Sequence, residues 1–226
     1  VPAAALIVSR HGPIIQANTQ TGVAISLQYA GLYPTHELEA FMLMDQARTA
    51  DEFNSALQFF DVGSQNFAYA DVDGNIAYFT SGELPIREDL QAGAVAGLPP
   101  YFIRNGQGGN EWMAVKNPQP NQALPFEILP YSEMPQIVNP SNGWFVNANN
   151  DPIGVTLDNN PFNQLRPGGG IYYLNFGYDA YRMGRIDRLL ASMIAGGHTI
   201  TMTDIEQVQL NTQPVDAQLG LPYLVT

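Results

Sequence analysis

The sequence predicts an α+β fold, on three observations. Apolar runs of strand length are broken by tight-turn residues, as in Ala4–Val8, Arg10-His11-Gly12-Pro13, Ile14-Ile15. Residues 66–80, NFAYADVDGNIAYFT, alternate around a central Asp73-Gly74. Between and after these lie stretches with apolar residues at helical spacing and cap residues in front of them.

The elements follow in order. Residues 4–8 and 14–15 read as a strand, a tight turn and a second strand. Residues 23–30, VAISLQYA, make a further strand ending at Gly31. Thr35–Leu43 reads as a helix capped by Thr35, with Leu38, Phe41 and Met42 on one face. Thr49–Phe60 reads as a second helix. Thr49 with Glu52 three residues on is a capping box, and Phe53, Ala56, Leu57 and Phe60 form its apolar stripe. Residues 66–80 are a hairpin, Asp-Gly being a preferred two-residue turn pair. Asp71, Asp73 and Asn75 superficially suggest a calcium loop. The EF-hand pattern needs Gly at position six and Glu at twelve, and neither is present.

Gly82–Asn121 is rich in Gly and Pro, lacks periodicity and is too long for an ordinary connection, so it reads as a functional wrapping loop. Asn159–Gly170 is a second such loop, ending in Pro167-Gly168-Gly169-Gly170. No GK[ST] follows the glycines, which argues for flexibility over a phosphate cradle. Tyr178–Ile194 reads as a helix with the stripe Ile186, Leu189, Leu190, Met193, stopped by Gly196-Gly197. Thr203–Asn211 reads as another, with Thr203 and Glu206 as cap and partner. There is no internal repeat.

Composition narrows the function classes. The 226 residues suffice for one large domain or two small ones with a sizeable core. Only 13% are charged, about half the usual share, so much of the surface is neutral polar. Nine Lys+Arg against a net charge of −12 cannot neutralise a phosphate backbone, which argues against nucleic acid as a partner. No window approaches eighteen apolar residues, so no membrane span is expected. The N-terminus shows no basic stretch followed by an apolar run of the signal-peptide kind. With no cysteine, disulfides, thiolate catalysis and thiolate metal sites are all excluded. His11, His36 and His198 lie far apart and in no HExxH-type pair, so a histidine zinc site is not expected.

The segment Leu124–Pro152 carries the most chemistry. It ends in Asn147, Asn149 and Asn150 directly after the apolar run Trp144–Val146. A carboxamide offers two donors and an acceptor without charge, and an NH₂ aimed at a developing oxyanion lowers a barrier by several kcal/mol. The plainer alternative is a polar turn in which the asparagines bond their own backbone.

Five blocks, in order, resemble the penicillin acylase (penicillin amidase) family of N-terminal-nucleophile hydrolases. They are Arg10-His11-Gly12-Pro13-Ile14-Ile15; Ala47-Arg48-Thr49 through Phe53; Gln65 through Ile76, continuing into Gly82-Glu83-Leu84-Pro85-Ile86-Arg87; Leu124-Pro125-Phe126-Glu127 through Asn139-Pro140, Gly143 and Asn147-Ala148-Asn149-Asn150; and Tyr181-Arg182-Met183-Gly184-Arg185-Ile186. The resemblance covers nearly the whole chain. It implies an αββα sandwich, two stacked antiparallel sheets covered by helices. It also implies hydrolysis of linear N-acyl amides by an N-terminal serine whose own α-amine acts as base. By motif, Asn149 resembles the oxyanion-hole asparagine and Arg182 the arginine near the nucleophile's amine. Taken alone, Arg182 reads as a surface helix arginine paired with Asp179 or Asp187. Phe41 and Gln65 fall near substrate-pocket positions, and Asp158 near a calcium carboxylate. No cofactor is required, and a structural calcium in the full protein is the one metal the resemblance raises.

The chain departs from the family pattern at its start, where no serine, threonine or cysteine leads. Residues 1–226 are therefore expected to form a single partial domain, an internal segment of the catalytic (beta) subunit, inactive by itself. Its expected partners are the remaining segments of the same acylase and a small N-acyl amide, and its expected location is periplasmic or extracellular. The alternative function is a non-catalytic scaffold or binding module that keeps the fold. An acyl-homoserine lactone acylase is the other enzyme reading.

Overall fold

A computed structural model describes residues 6–178 and 181–225. Strands β1 (Val8–Ser9), β2 (Gly12–Asn18) and β3 (Val23–Ser26) form one antiparallel sheet in that order. The turn between β1 and β2 places Gly12 at φ +94°. A Cβ there would collide with the Leu27 carbonyl oxygen, so only glycine lets the chain re-enter beside Leu27. The register shifts between Ile14 and Gln16, a bulge that twists the ribbon.

Helices α1 (Glu37–Gln46) and α2 (Ala50–Leu57) pack on each other, and α2 packs on the second sheet. Thr49 caps α2 by accepting the Glu52 N–H at 3.2 Å. The Glu52 carboxylate reaches one residue further than a capping box requires, to the Arg48 N–H at 2.6 Å. Thr35 does not cap α1. Its hydroxyl donates to Glu37 at 2.5 Å instead, and the cap position falls to His36. The expected apolar face of α1 points outward, with Leu38 81% and Met42 63% exposed.

The second sheet runs β4 (Gln65–Ala70), β5 (Ile76–Ser81), β6 (Gln136–Val138), all antiparallel. Alternation puts Phe67, Tyr69, Ala77 and Phe79 on the face that packs with Leu57 and Phe53. The hairpin forms as expected, but not with a two-residue turn. Ala70 pairs with Ile76, and the Asp71 carboxylate fills the loop by accepting the N–H groups of Asp73 and Asn75 and the Asn75 carboxamide. A side-chain acceptor inside the loop outcompetes the tight turn.

The wrapping loop contains one short helix, α3 (Glu88–Gln91), and is otherwise irregular. It is held by buried carboxylates. Glu83 accepts the N–H groups of Ala123 and Leu124, both at 2.7 Å. Glu127 accepts those of Lys116 and Asn117 and the Asn117 carboxamide. Asp89 pairs with Arg104.

The C-terminal part is helical: α4 (Tyr181–Ala195), α5 (Met202–Gln209) and α6 (Val215–Leu224). The predicted α4 stripe is used, with Leu190 buried and α6 packed against the helix. Gly197, at φ +72°, ends α4, while the His198 N–H reaches the Met193 carbonyl and the Gly197 N–H that of Ile194. The cap of α5 is Thr201 with Asp204 rather than Thr203 with Glu206. Asp204 is also bonded to His198 at 2.8 Å, and these bonds hold its carboxyl down at about 2.

Burial pushes the Glu83 carboxyl up. At Glu127 burial pushes the same way, but the N–H groups of Asn117 and Lys116 and the Asn117 carboxamide outweigh it and hold that carboxyl below its ordinary value. The sign therefore differs. Glu127 stabilises the fold above about pH 4.3, and its contribution disappears as pH falls through its lowered value. Glu83 contributes fully below about pH 4.3 and loses that contribution as pH rises through its raised value. In urea unfolding, the cost of Glu127→Gln grows from pH 3 to pH 7, whereas that of Glu83→Gln shrinks. Parallel slopes for the two variants contradict the assignment.

Candidate functional site

The asparagine segment lies between β5 and α4. Gly143, at φ +85°, turns the chain after β6, and the Gly143 N–H closes on the Pro140 carbonyl. From there residues 144–150 run without a strand partner and are anchored by side chains. The Trp144 indole N–H donates to Asp187 on α4 at 3.1 Å. Phe145 tilts against Tyr78 of β5 with centroids 6.0 Å apart. The Tyr78 hydroxyl in turn donates to Asn66 of β4 at 2.6 Å.

The three asparagines divide their work. The Asn150 side-chain oxygen accepts the Ala148 N–H at 2.9 Å, and that of Asn147 accepts the Asn149 N–H at 3.3 Å. These two behave as the plain turn reading expects. Asn149 differs. Its backbone is left-handed, at φ +59°, its side chain is exposed, and that side chain does not bond its own loop.

Instead Arg182, in the first turn of α4, donates from Nη2 to the Ala148 carbonyl at 2.6 Å and to Asn149 Oδ1 at 3.3 Å. A guanidinium has only donors, so the carboxamide must turn its oxygen toward Arg182. Its Nδ2 is then directed elsewhere, with no acceptor among the described residues. The pair presents a neutral NH₂, oriented by a fixed cation, at the surface. That is the chemistry of a hydrogen-bond donor to an anionic oxygen. Among the described residues Arg182 forms no ion pair. Asp187 is taken by Trp144, and Asp179 lies outside the described residues.

The other candidates stand apart from this pair. Phe41, on α1, is half exposed and meets Phe60 edge-on at 5.8 Å. Gln65 opens β4, is exposed, and donates to the Gly63 carbonyl. The Asp158 carboxylate accepts the Asn160 N–H and the Asn163 carboxamide. No group of three His, Asp or Glu side chains that could hold a metal occurs among the described residues. Tyr78 and the Trp144–Asp187 tie escape a reading of the sequence. The alternation of β5 places Tyr78 on the face away from the core, which is the one signal pointing to it.

The profile of the penicillin amidase family matches residues 3–226. The chain belongs to this family. Penicillin G acylase of Escherichia coli is 29% identical over 150 residues, which are 63% of this chain and 14% of that protein. The solved thermostable penicillin G acylase from Alcaligenes faecalis matches with a TM-score of 0.58 at 24% identity, over 90% of this chain and 30% of that one. The mixed helices and antiparallel sheets are thus a penicillin acylase fold, and the chain spans under a third of the length of these two relatives. Among the described residues no helix is long and apolar enough to cross a membrane.

The left-handed backbone of Asn149 separates its side chain from its conformation. Asn149→Gly removes the carboxamide at little backbone cost, whereas Asn149→Ala adds about 1 kcal/mol of strain. Thermal unfolding of the two variants is expected to rank glycine above alanine. The reverse order contradicts the conformation.

Proposed function

We propose that this segment belongs to an amidohydrolase that cleaves linear N-acyl amides, penicillin acylase-like, and that it supplies the side-chain half of the oxyanion hole. The observation that carries the proposal is the Arg182–Asn149 contact. It fixes which end of the carboxamide faces outward, and a donor fixed before reaction costs no reorganisation in the transition state. Arg182 orients Asn149, and its positive charge favours a neutral amine on a nearby N-terminal nucleophile.

The nucleophile comes from outside this segment. Among the described residues no serine or threonine hydroxyl bonds to Asn149 or Arg182. An N-terminal serine would attack the amide carbonyl with its α-amine as base, and Asn149 Nδ2 would receive the oxyanion. The 226-residue chain alone is accordingly inactive. Its partners are the remaining segments of the acylase, a role that outward-facing Leu38 and Met42 suit. Phe41 and Gln65 line the acyl pocket once those segments are in place, and any structural calcium takes further ligands from them. The low content of basic residues suits a periplasmic or extracellular protein.

In the whole enzyme, Asn149→Gly lowers kcat by about 10²–10³-fold with KM little changed. Arg182→Lys, which keeps the charge but loses the planar fork, lowers kcat by a smaller factor. The check is steady-state hydrolysis of a chromogenic phenylacetyl amide. An unchanged kcat for Asn149→Gly makes the segment a scaffold.

A further inference from the structure

A second group of donors lies apart from Asn149, at the start of the wrapping loop. The backbone of Arg87 is locked by its bridge to Trp112 and by the Glu88 and Met113 N–H bonds to Glu111 and Ile86. Its guanidinium lies over the Tyr173 ring, 5.6 Å from the centroid, and lines a cleft with Leu90, Ile171 and Arg166. Among the described residues this guanidinium donates no hydrogen bond and forms no ion pair, and the Tyr173 hydroxyl makes no hydrogen bond either.

The buried charges nearby are already paired, and the exposed Glu88 forms no ion pair among the described residues. Arg166 Nε donates to Glu133 at 2.9 Å, Arg104 pairs with Asp89, and Glu88 accepts the Glu111 N–H. Arg87 makes no ion pair of its own among the described residues of a chain of net charge −12, and burial pushes it below its ordinary value. Its N–H groups open to the cleft rather than to any protein acceptor among the described residues, and the ring face offsets only part of the cost of the cation's partial burial.

We propose that Arg87 and the Tyr173 hydroxyl form a receptor for a carboxylate with an apolar body. The planar fork of one guanidinium matches two coplanar oxygens, and the hydroxyl adds a third donor. One cation balances one negative charge, which disfavours phosphate. Leu90 and Ile171 supply apolar wall for the rest of the ligand. The carboxylate has two sources, a free organic acid or an acidic side chain of another segment of the same protein.

The test uses the full-length protein, with benzoate as probe and inorganic phosphate for comparison. If a free acid is the ligand, benzoate binds saturably and raises Tm while phosphate does not. Arg87→Met then weakens benzoate binding at least tenfold, and Tyr173→Phe weakens it less. If the protein supplies the carboxylate, benzoate does not bind and Arg87→Met lowers Tm at pH 7. That loss disappears below about pH 4, where the partner carboxylate is protonated. Should Arg87→Met fail to fold, Arg87→Lys and Tyr173→Phe give the same readings at smaller amplitude. Absence of benzoate binding together with a Tm unchanged by substitution, or lowered equally at pH 3 and pH 7, overturns the proposal. No readout uses turnover, so that failure leaves the amidohydrolase reading untouched.

Discussion

Buried carboxylates that accept backbone N–H groups hold this structure together. Long stretches of the chain pair with no strand and wind into no helix, so their N–H groups need other acceptors. Glu83 serves Ala123 and Leu124, Glu127 serves Lys116 and Asn117, and Asp61 serves His36. Each joins segments that regular structure leaves unconnected. The Asp61 side chain is fully buried, and Glu83 and Ser81 close the same junction from the end of β5. Ser81 donates to the Leu57 and Phe60 carbonyls, while the Glu83 N–H meets the Asp61 carbonyl. Among the described residues the apolar core proper is two small clusters, around Phe79 and around Tyr172. Removing a charged acceptor from such a junction leaves several buried donors unmet at once, which makes each carboxylate more consequential than a single packed methyl.

The same economy positions the candidate site. Residues 144–150 have no strand partner, yet Trp144 is tied to α4 and Phe145 to β5. Those ties fix the loop, and the left-handed residue Asn149 then stands clear of it. Arg182 completes the arrangement from α4. A donor on a mobile loop would lose its advantage to reorganisation, so under the proposed role of Asn149 these anchoring residues matter too.

Large apolar residues face outward on several elements. On α1 this is Leu38 and Met42, on the first sheet Val8, Ile15 and Val23, and near the C-terminus Leu221, Tyr223 and Leu224. Exposed apolar faces of this kind are surfaces on which further chain can pack, and this chain spans under a third of the length of its two relatives.

Much of the fold was legible because its signals are local. The alternation of 65–81, the Thr49 cap, and the stripe and glycine stop of α4 are all set by residues a few positions apart. Where two local solutions compete, the sequence is silent. Thr201 with Asp204 and Thr203 with Glu206 are overlapping caps, and the added bond from His198 selects the first. The apolar spacing of α1 specified a face but not what covers it. The five family blocks named Asn149 and Arg182 separately, as donor and cation. That the guanidinium, 33 residues along the chain, grips the carboxamide oxygen and turns its NH₂ outward was decided only in three dimensions. Residue type fixes which atoms can donate, but the direction in which a donor points depends on a partner that only packing brings within reach.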